Sequence, residues 1–163
     1  SPPEFEAIFK QAQPPAPPPL YIAIPSKTAP EHAPAGGENW FVLVNAPPLD
    51  DRYNWQANQQ AYRDLILQKI ADFGFDVRNH ILTEQVLTPV DLAEGSGAWR
   101  GALYGASPNS PWAAFKRPHN RSDIPGLYFV GGTTHPGGGV PMVTLSGKVA
   151  AELVLEDLAQ NPA

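Results

Sequence analysis

The stretch from Leu127 to Leu158 constrains this chain more than any other. Leu127-Tyr128-Phe129-Val130 is a short apolar segment that reads as a strand. It runs into Gly131-Gly132-Thr133-Thr134-His135-Pro136-Gly137-Gly138-Gly139, and an apolar helix is expected from Pro141 to about Leu158. Strand, glycine loop and helix in that order bring bare backbone up to a ligand. Glycine removes side chains from the approach, and the open N–H groups of a helix start attract an acceptor.

Pro141 suits a first helical turn, where its missing N–H costs nothing. The N–H groups of Met142, Val143 and Thr144 are then expected to be unpaired and to point back at the loop. Gly147 lies inside the helix, where glycine costs about 1 kcal/mol against alanine. The expected return is close packing on the face with Val143, Ala150, Ala151 and Val154. A flavin pyrimidine edge or a pyrophosphate both qualify as the acceptor. The P-loop pattern G-x-x-x-x-G-K-[ST] does not occur, and G-x-G-x-x-G is absent before this helix in its usual form. On glycines alone, a plain turn fits as well as a binding loop.

Upstream, Pro2 to Gln11 reads as a short helix with Phe5, Ile8 and Phe9 on one face. Pro14 to Pro19 is a stiff polyproline connector. Leu20 to Ile24 and Trp40 to Val44 read as two strands, the second apolar throughout and so expected to be buried on both faces. The helix-free loop between them favours antiparallel pairing. Asn54 to Phe73 reads as the strongest helix, with Trp55, Tyr62, Leu65, Ile66, Ile70 and Phe73 as its stripe. Asn54 is its expected N-cap and Gly74 its terminating glycine. Ile81 to Leu87 is expected to be another strand, and Pro89 to Glu94 one helical turn. The sum is an α+β chain: a mixed, largely antiparallel sheet with helices, followed by a terminal strand–helix unit.

Composition removes several classes of function. A net charge of −5 argues against nucleic acid as a partner. The absence of cysteine excludes disulfides, thiolate catalysis and cysteine metal sites. The four histidines, His32, His80, His119 and His135, have no metal-site spacing. Ser146 lies in no G-x-S-x-G elbow, so serine hydrolysis is not expected. No apolar run has the roughly 18 residues a membrane span needs. A cytoplasmic location is expected, with peripheral membrane contact left open.

Six colinear segments then point to a family. Leu127 to Met142 resembles the C-terminal signature of the bacterial-type phytoene desaturases, FAD-dependent enzymes of carotenoid metabolism within the amine oxidase-like superfamily. Leu20-Tyr21-Ile22-Ala23-Ile24-Pro25-Ser26-Lys27-Thr28 resembles that family's LY-x-x-x-PS-K/R-T. Trp40 to Pro48 is similar to its next strand. Leu87-Thr88-Pro89, Gly101-Ala102-Leu103-Tyr104-Gly105 and Arg117-Pro118-His119-Asn120-Arg121 resemble its LTP, GAxYG and RPHNR segments.

The resemblance implies the C-terminal part of a longer enzyme, and a chain that opens on Ser1 fits this expectation. Residues 1–109 are then expected to end a substrate-binding domain, and residues 110–163 to close a Rossmann-type FAD domain. The N-terminal GxGxxG part of that domain has no counterpart here. By the same resemblance Gly131, Gly132, Thr133, Gly138, Gly139, Val140, Pro141 and Met142 would lie near the cofactor. Related flavoproteins carry an acid near the position of Thr133, where this chain has Thr133-Thr134. His135, His119, Arg121 and Tyr104 are substrate-side or loop-ordering candidates. His135 either touches the flavin surroundings or holds the loop through a backbone hydrogen bond. Arg117 and Arg121 either pair with a cofactor phosphate or form surface ion pairs.

The substrate implied is an apolar polyene, for which residues between Trp99 and Phe115 are candidate tunnel walls. The expected partners are the N-terminal FAD-domain part of the same polypeptide and a second copy through self-association. The chain alone is not expected to retain FAD. Two other readings stand beside this one: a non-catalytic module that binds an apolar ligand or itself, and a related flavoenzyme acting on another isoprenoid.

Overall fold

The computed structural model describes residues 2–105 and 117–160. Two compact units divide the chain, Ser1–Gly95 and Ser96–Ala163. The boundary expected at residue 109, and the tunnel candidates Trp112 and Phe115, lie outside the described residues.

The first unit is organised by one helix. Its elements are α1 (Pro2–Glu6), which continues as a wider π turn over Ala7–Gln11, then β1 (Tyr21–Ala23), β2 (Phe41–Leu43), α2 (Trp55–Asp72) and α3 (Pro89–Ser96). Both ends of α2 are closed by the residues expected. The Asn54 side chain accepts a hydrogen bond from the Ala57 N–H at 3.0 Å, satisfying one of the open donors of the first turn. At the other end Gly74, at φ +92°, donates to Ala71 O and Phe75 donates to Ile70 O. That pair of bonds is a Schellman termination, which needs a left-handed residue at the glycine position.

The buried stripe of α2 is Trp55, Tyr62 and Ile70, one side of the helix at near-integral turns. It meets the polyproline segment. The Tyr62 hydroxyl donates to Pro15 O at 3.0 Å, and the Lys69 ammonium donates to Pro18 O. A proline run has carbonyl acceptors but no N–H donors, so side chains from the helix satisfy it. Burial drives the Tyr62 phenol pKa well above its usual value. Trp55 packs edge-on against Tyr62, ring centroids 5.8 Å apart.

β1 and β2 pair antiparallel as expected, with Tyr21 opposite Leu43 and Ala23 opposite Phe41. The loop between them is clasped at its base: the Ser26 N–H donates to Asn39 Oδ1 and the Asn39 N–H donates to Ser26 Oγ. Burial of the second strand on both faces is not found. Phe41 is 57% exposed, and Val42 and Leu43 are also exposed. A two-stranded sheet covers neither of its own faces, and no further strand joins this one among the described residues.

Ile81 to Leu87 forms no strand, and a short 3-10 turn, Arg78–His80, precedes it. A strand needs a neighbour to take its N–H and C=O groups, and none is supplied here among the described residues. The single turn expected after Pro89 is a full helix, α3. Thr88 caps it: its N–H and hydroxyl both donate to Asp91 Oδ2, at 2.7 and 2.6 Å, and the Asp91 N–H points back at the Thr88 hydroxyl. This reciprocal cap from a Thr-x-x-Asp spacing, together with Pro89 in the first helical position, holds the start of α3.

The second unit contains α4 (Val140–Gln160) and the segment before it. Among the described residues Leu127 to Val130 makes only one bridge, Arg121 with Tyr128, supported by bonds from Phe129 N–H to Asn120 O and from Ser122 N–H to Leu127 O. The segment lies over α4: a Cβ on Gly147 would stand 3.9 Å from Val130 Cγ1. That is ordinary contact, so close approach does not itself require glycine there. Of the face expected to pack, Ala150 is buried and Val143 and Val154 are half-buried, but Ala151 is exposed.

Candidate functional site: the glycine loop and its supports

Helix α4 starts one residue earlier than expected, and this changes its open donors. Gly139 stands at the cap position, and its carbonyl accepts from the Val143 N–H at 2.9 Å. Val143 is therefore paired, as is Thr144 one step along the helical ladder. The first-turn N–H groups that meet no acceptor among the described residues are those of Val140 and Met142, with Pro141 between them. Gly138, Gly139, Val140, Pro141 and Met142 are all exposed. The loop thus ends in an uncovered ridge of backbone.

The glycines of the loop divide into two kinds. Gly131, Gly137 and Gly139 have φ of +122°, +137° and +102°, where a side chain is strained. At Gly131 and Gly139 nothing lies within 4 Å of where a Cβ would stand, so backbone conformation alone selects glycine. Gly132 and Gly138 are different, because neither has a positive φ. A Cβ on Gly138 would stand 3.1 Å from Cδ1 of Tyr104, and one on Gly132 would stand 3.5 Å from the Gly138 Cα and 3.9 Å from the same ring atom. At Gly138 the ring leaves less than ordinary room for a side chain, whereas the contacts at Gly132 are ordinary ones.

A buried polar knot holds the loop from behind. The Ser146 hydroxyl, fully buried on α4, accepts from the Gly131 N–H at 3.2 Å and from Asn120 Nδ2 at 2.9 Å. The same Asn120 amide donates to Phe129 O at 2.9 Å. One side chain from the RPHNR segment and one from the helix therefore fix the point where the extended segment becomes the loop. Sequence reading set Ser146 aside as a hydrolase nucleophile and did not see this role. Its place on the same face as Val143 and Ala150 was the available signal.

Arg117 and Arg121 separate in role. Arg117 Nη1 donates to Gly132 O at 2.7 Å, so its guanidinium braces the loop. Arg121 forks onto Asp157 near the end of α4, Nη2 to Oδ1 at 2.8 Å and Nε to Oδ2 at 3.1 Å, with Glu156 at 3.4 Å. It makes the surface ion pairs that were one of its two expected roles. The Tyr128 hydroxyl donates to Asp157 as well. That bond is the largest effect, and with the Arg121 fork it holds the Asp157 carboxyl below its ordinary pKa against the opposing effect of burial.

His135 is exposed, and its backbone N–H donates to Pro118 O at 2.9 Å. It ties the loop to the RPHNR segment through main chain rather than through the imidazole. His119 is exposed and Thr134 is buried. Thr133 is exposed, and its Cγ2 would stand 3.3 Å from a Cβ on Gly105, which docks the 101–105 segment on the loop. No group of His, Asp or Glu among the described residues could hold a metal ion. A cleft of about 710 Å³ in the first unit is lined by α2 residues such as Leu65, Lys69 and Phe73 and contains no loop residue.

Residues 21–155 match the family described as flavin containing amine oxidoreductase. The chain belongs to that family. A 1-hydroxycarotenoid 3,4-desaturase of Flavobacterium sp. (strain P99-3) is 44% identical over 153 residues, 93% of this chain and 31% of the relative. A 4,4'-diapolycopene oxygenase of Methylomonas sp is 38% identical over 94% of this chain and 32% of its own length. A 4,4'-diaponeurosporene oxygenase of Staphylococcus aureus is 36% identical over 96% of this chain and 32% of its own. The chain spans about a third of the length of these curated relatives. The resemblance to carotenoid-modifying flavoproteins read from the six segments is thereby borne out.

The loop of this flavin containing amine oxidoreductase chain suits an acceptor-bearing group. The ridge at 138–142 is uncovered, the places a Cβ would take at Gly131 and Gly139 are open, and the Val140 and Met142 N–H groups lie at a helix start. The two arginines nearest in sequence are engaged elsewhere, on Gly132 O and on Asp157. Backbone donors at an open helix start suit either an acceptor-bearing ring edge or a phosphate. No helix among the described residues is long and apolar enough to cross a membrane.

Proposed function

We propose that this chain is the C-terminal part of an FAD-dependent oxidoreductase that desaturates, or isomerises, a carotenoid or similar polyene. The observation that carries the proposal is the 44% identity over 93% of the chain to a 1-hydroxycarotenoid 3,4-desaturase. The glycine loop supports it from geometry. Backbone at Gly131, Gly132, Gly139, Val140 and Met142 would border the cofactor, with Ser146, Asn120 and Arg117 fixing the loop's position. When bound, a flavin supplies the acceptor for a hydride taken from a C–H bond. This chain's own residues orient and exclude water.

Apolar residues at the loop and the start of α4, Val130, Val140, Met142 and Leu145, are exposed, which suits an apolar substrate and the covering part of a longer polypeptide. That part would supply the rest of the FAD site, so the chain alone would not retain the cofactor. The proposal includes a cytoplasmic location for the whole enzyme, with at most peripheral contact with a membrane surface.

The test is expression of the full-length polypeptide containing this chain, followed by incubation with lycopene, neurosporene and hydroxylated carotenoids. A flavin absorbance band and a red-shifted carotenoid product are expected. Flavin-loaded protein that changes none of these substrates would overturn the proposal.

A further inference from the structure

Within that reading of the site, we propose that Tyr104 is a substrate-positioning residue, whose ring forms the surface against which the conjugated chain is seated beside the glycine loop. Two glycines of the loop, Gly132 and Gly138, need no special backbone. A Cβ at Gly138 would stand 3.1 Å from the Tyr104 ring, closer than ordinary contact, and one at Gly132 would stand in ordinary contact with it at 3.9 Å. The loop is therefore shaped around that ring. On its far side Tyr104 is 67% exposed, and among the described residues its hydroxyl meets no hydrogen-bond partner. A large aromatic held by one edge and bare on the other is not serving as core.

The supports of the ring are rigid. Gly105, at φ +69°, follows Tyr104 directly and is packed by Thr133. Gly132 carries the carbonyl braced by Arg117. Gly131, next to it, is held by the buried Ser146 hydroxyl. An aromatic face fixed in this way offers a planar surface to an extended π system, and offset stacking on aromatic rings adds to simple area burial. A conjugated hydrocarbon has no polar group for the loop to grip along most of its length, so a fixed ring is the means by which such a chain can be registered against a cofactor-facing backbone.

The test uses the full-length enzyme and compares Tyr104→Leu, Tyr104→Phe and Gly138→Ala with wild type, reading KM, kcat, flavin content and melting temperature. Wild-type turnover is measured first: its absence overturns the carotenoid reading and this assignment with it. With turnover present, Tyr104→Leu is expected to raise KM about tenfold at unchanged flavin content, while Tyr104→Phe stays close to wild type. Gly138→Ala, which displaces the ring by a few tenths of an ångström, is expected to raise KM in wild type and to add nothing in the Tyr104→Leu background. An unchanged KM in Tyr104→Leu overturns the assignment of Tyr104 alone. So does loss of flavin in that variant, which would make Tyr104 a loop-ordering residue. A Phe variant as impaired as Leu would shift the role from ring to hydroxyl and overturn the proposal as stated.

Discussion

The two units are held together by different means. In the first, α2 closes on itself: Asn54 caps its start and Gly74 its end, and its buried stripe lies against a proline run. In the second, the glycine loop has no repeating backbone pattern to hold it. Its shape depends on side chains bonded to main chain: Ser146 to Gly131, Asn120 to Phe129 and Arg117 to Gly132. A helix can be made stable by apolar burial plus two caps. A loop that must leave its backbone bare for a ligand cannot bury that backbone, so it is fixed from behind by polar bonds.

The comparison predicts where each unit is weakest. Ile70, 2% exposed, is the main apolar anchor of the first unit. Ile70→Ala is expected to cost about 2–5 kcal/mol in urea unfolding, and a cost below about 1 kcal/mol would mean that α2 is held chiefly by its caps. Ser146→Ala keeps the helix but strands the Gly131 N–H and removes one acceptor of the Asn120 amide, which keeps Phe129 O. It is expected to cost about 1–3 kcal/mol and to lower flavin retention in the full-length enzyme, whereas Ile70→Ala lowers stability without a specific effect on flavin. Equal flavin loss in both would erase the distinction between the units.

Smaller effects test the caps. Asn54→Ala and Gly74→Ala are each expected to cost about 1 kcal/mol, measurable as a drop in melting temperature with flavin binding intact. The smallest effect is on pH. The Asp157 carboxyl, bonded by Tyr128 and Arg121, titrates below its ordinary value. Because its folded pKa is the lower one, its contribution is present above the unfolded value of about 3.9 and is lost as pH falls through the folded value. Acid unfolding of Asp157→Asn is therefore expected to depend less on pH below about 4 than that of wild type, and identical acid profiles would sever this link.

The sequence shows some of these features and hides others for a physical reason. The caps of α2 and Pro141 in the first turn of α4 were legible because each depends on residues a few positions apart, and the antiparallel pairing of β1 and β2 because a helix-free loop joins them. Ile81–Leu87 and the burial of Phe41–Leu43 were misread, because an apolar run shows that a partner is wanted and not where it is. The knot at Ser146 was missed because its members come from three separate stretches. A lone serine on an otherwise apolar helical face was the clue. The two kinds of glycine could not be told apart before φ and the position of Tyr104 were known.

The knot has a consequence for how the chain acquires its shape. Asn120 and Gly131 lie 26 and 15 residues from Ser146, so the bonds of the knot behind the glycine loop close within a short span of the polypeptide. Short loops carry a small closure entropy, and contacts of low sequence separation form early. The loop can therefore take its shape early, without waiting for a distant strand to find its place.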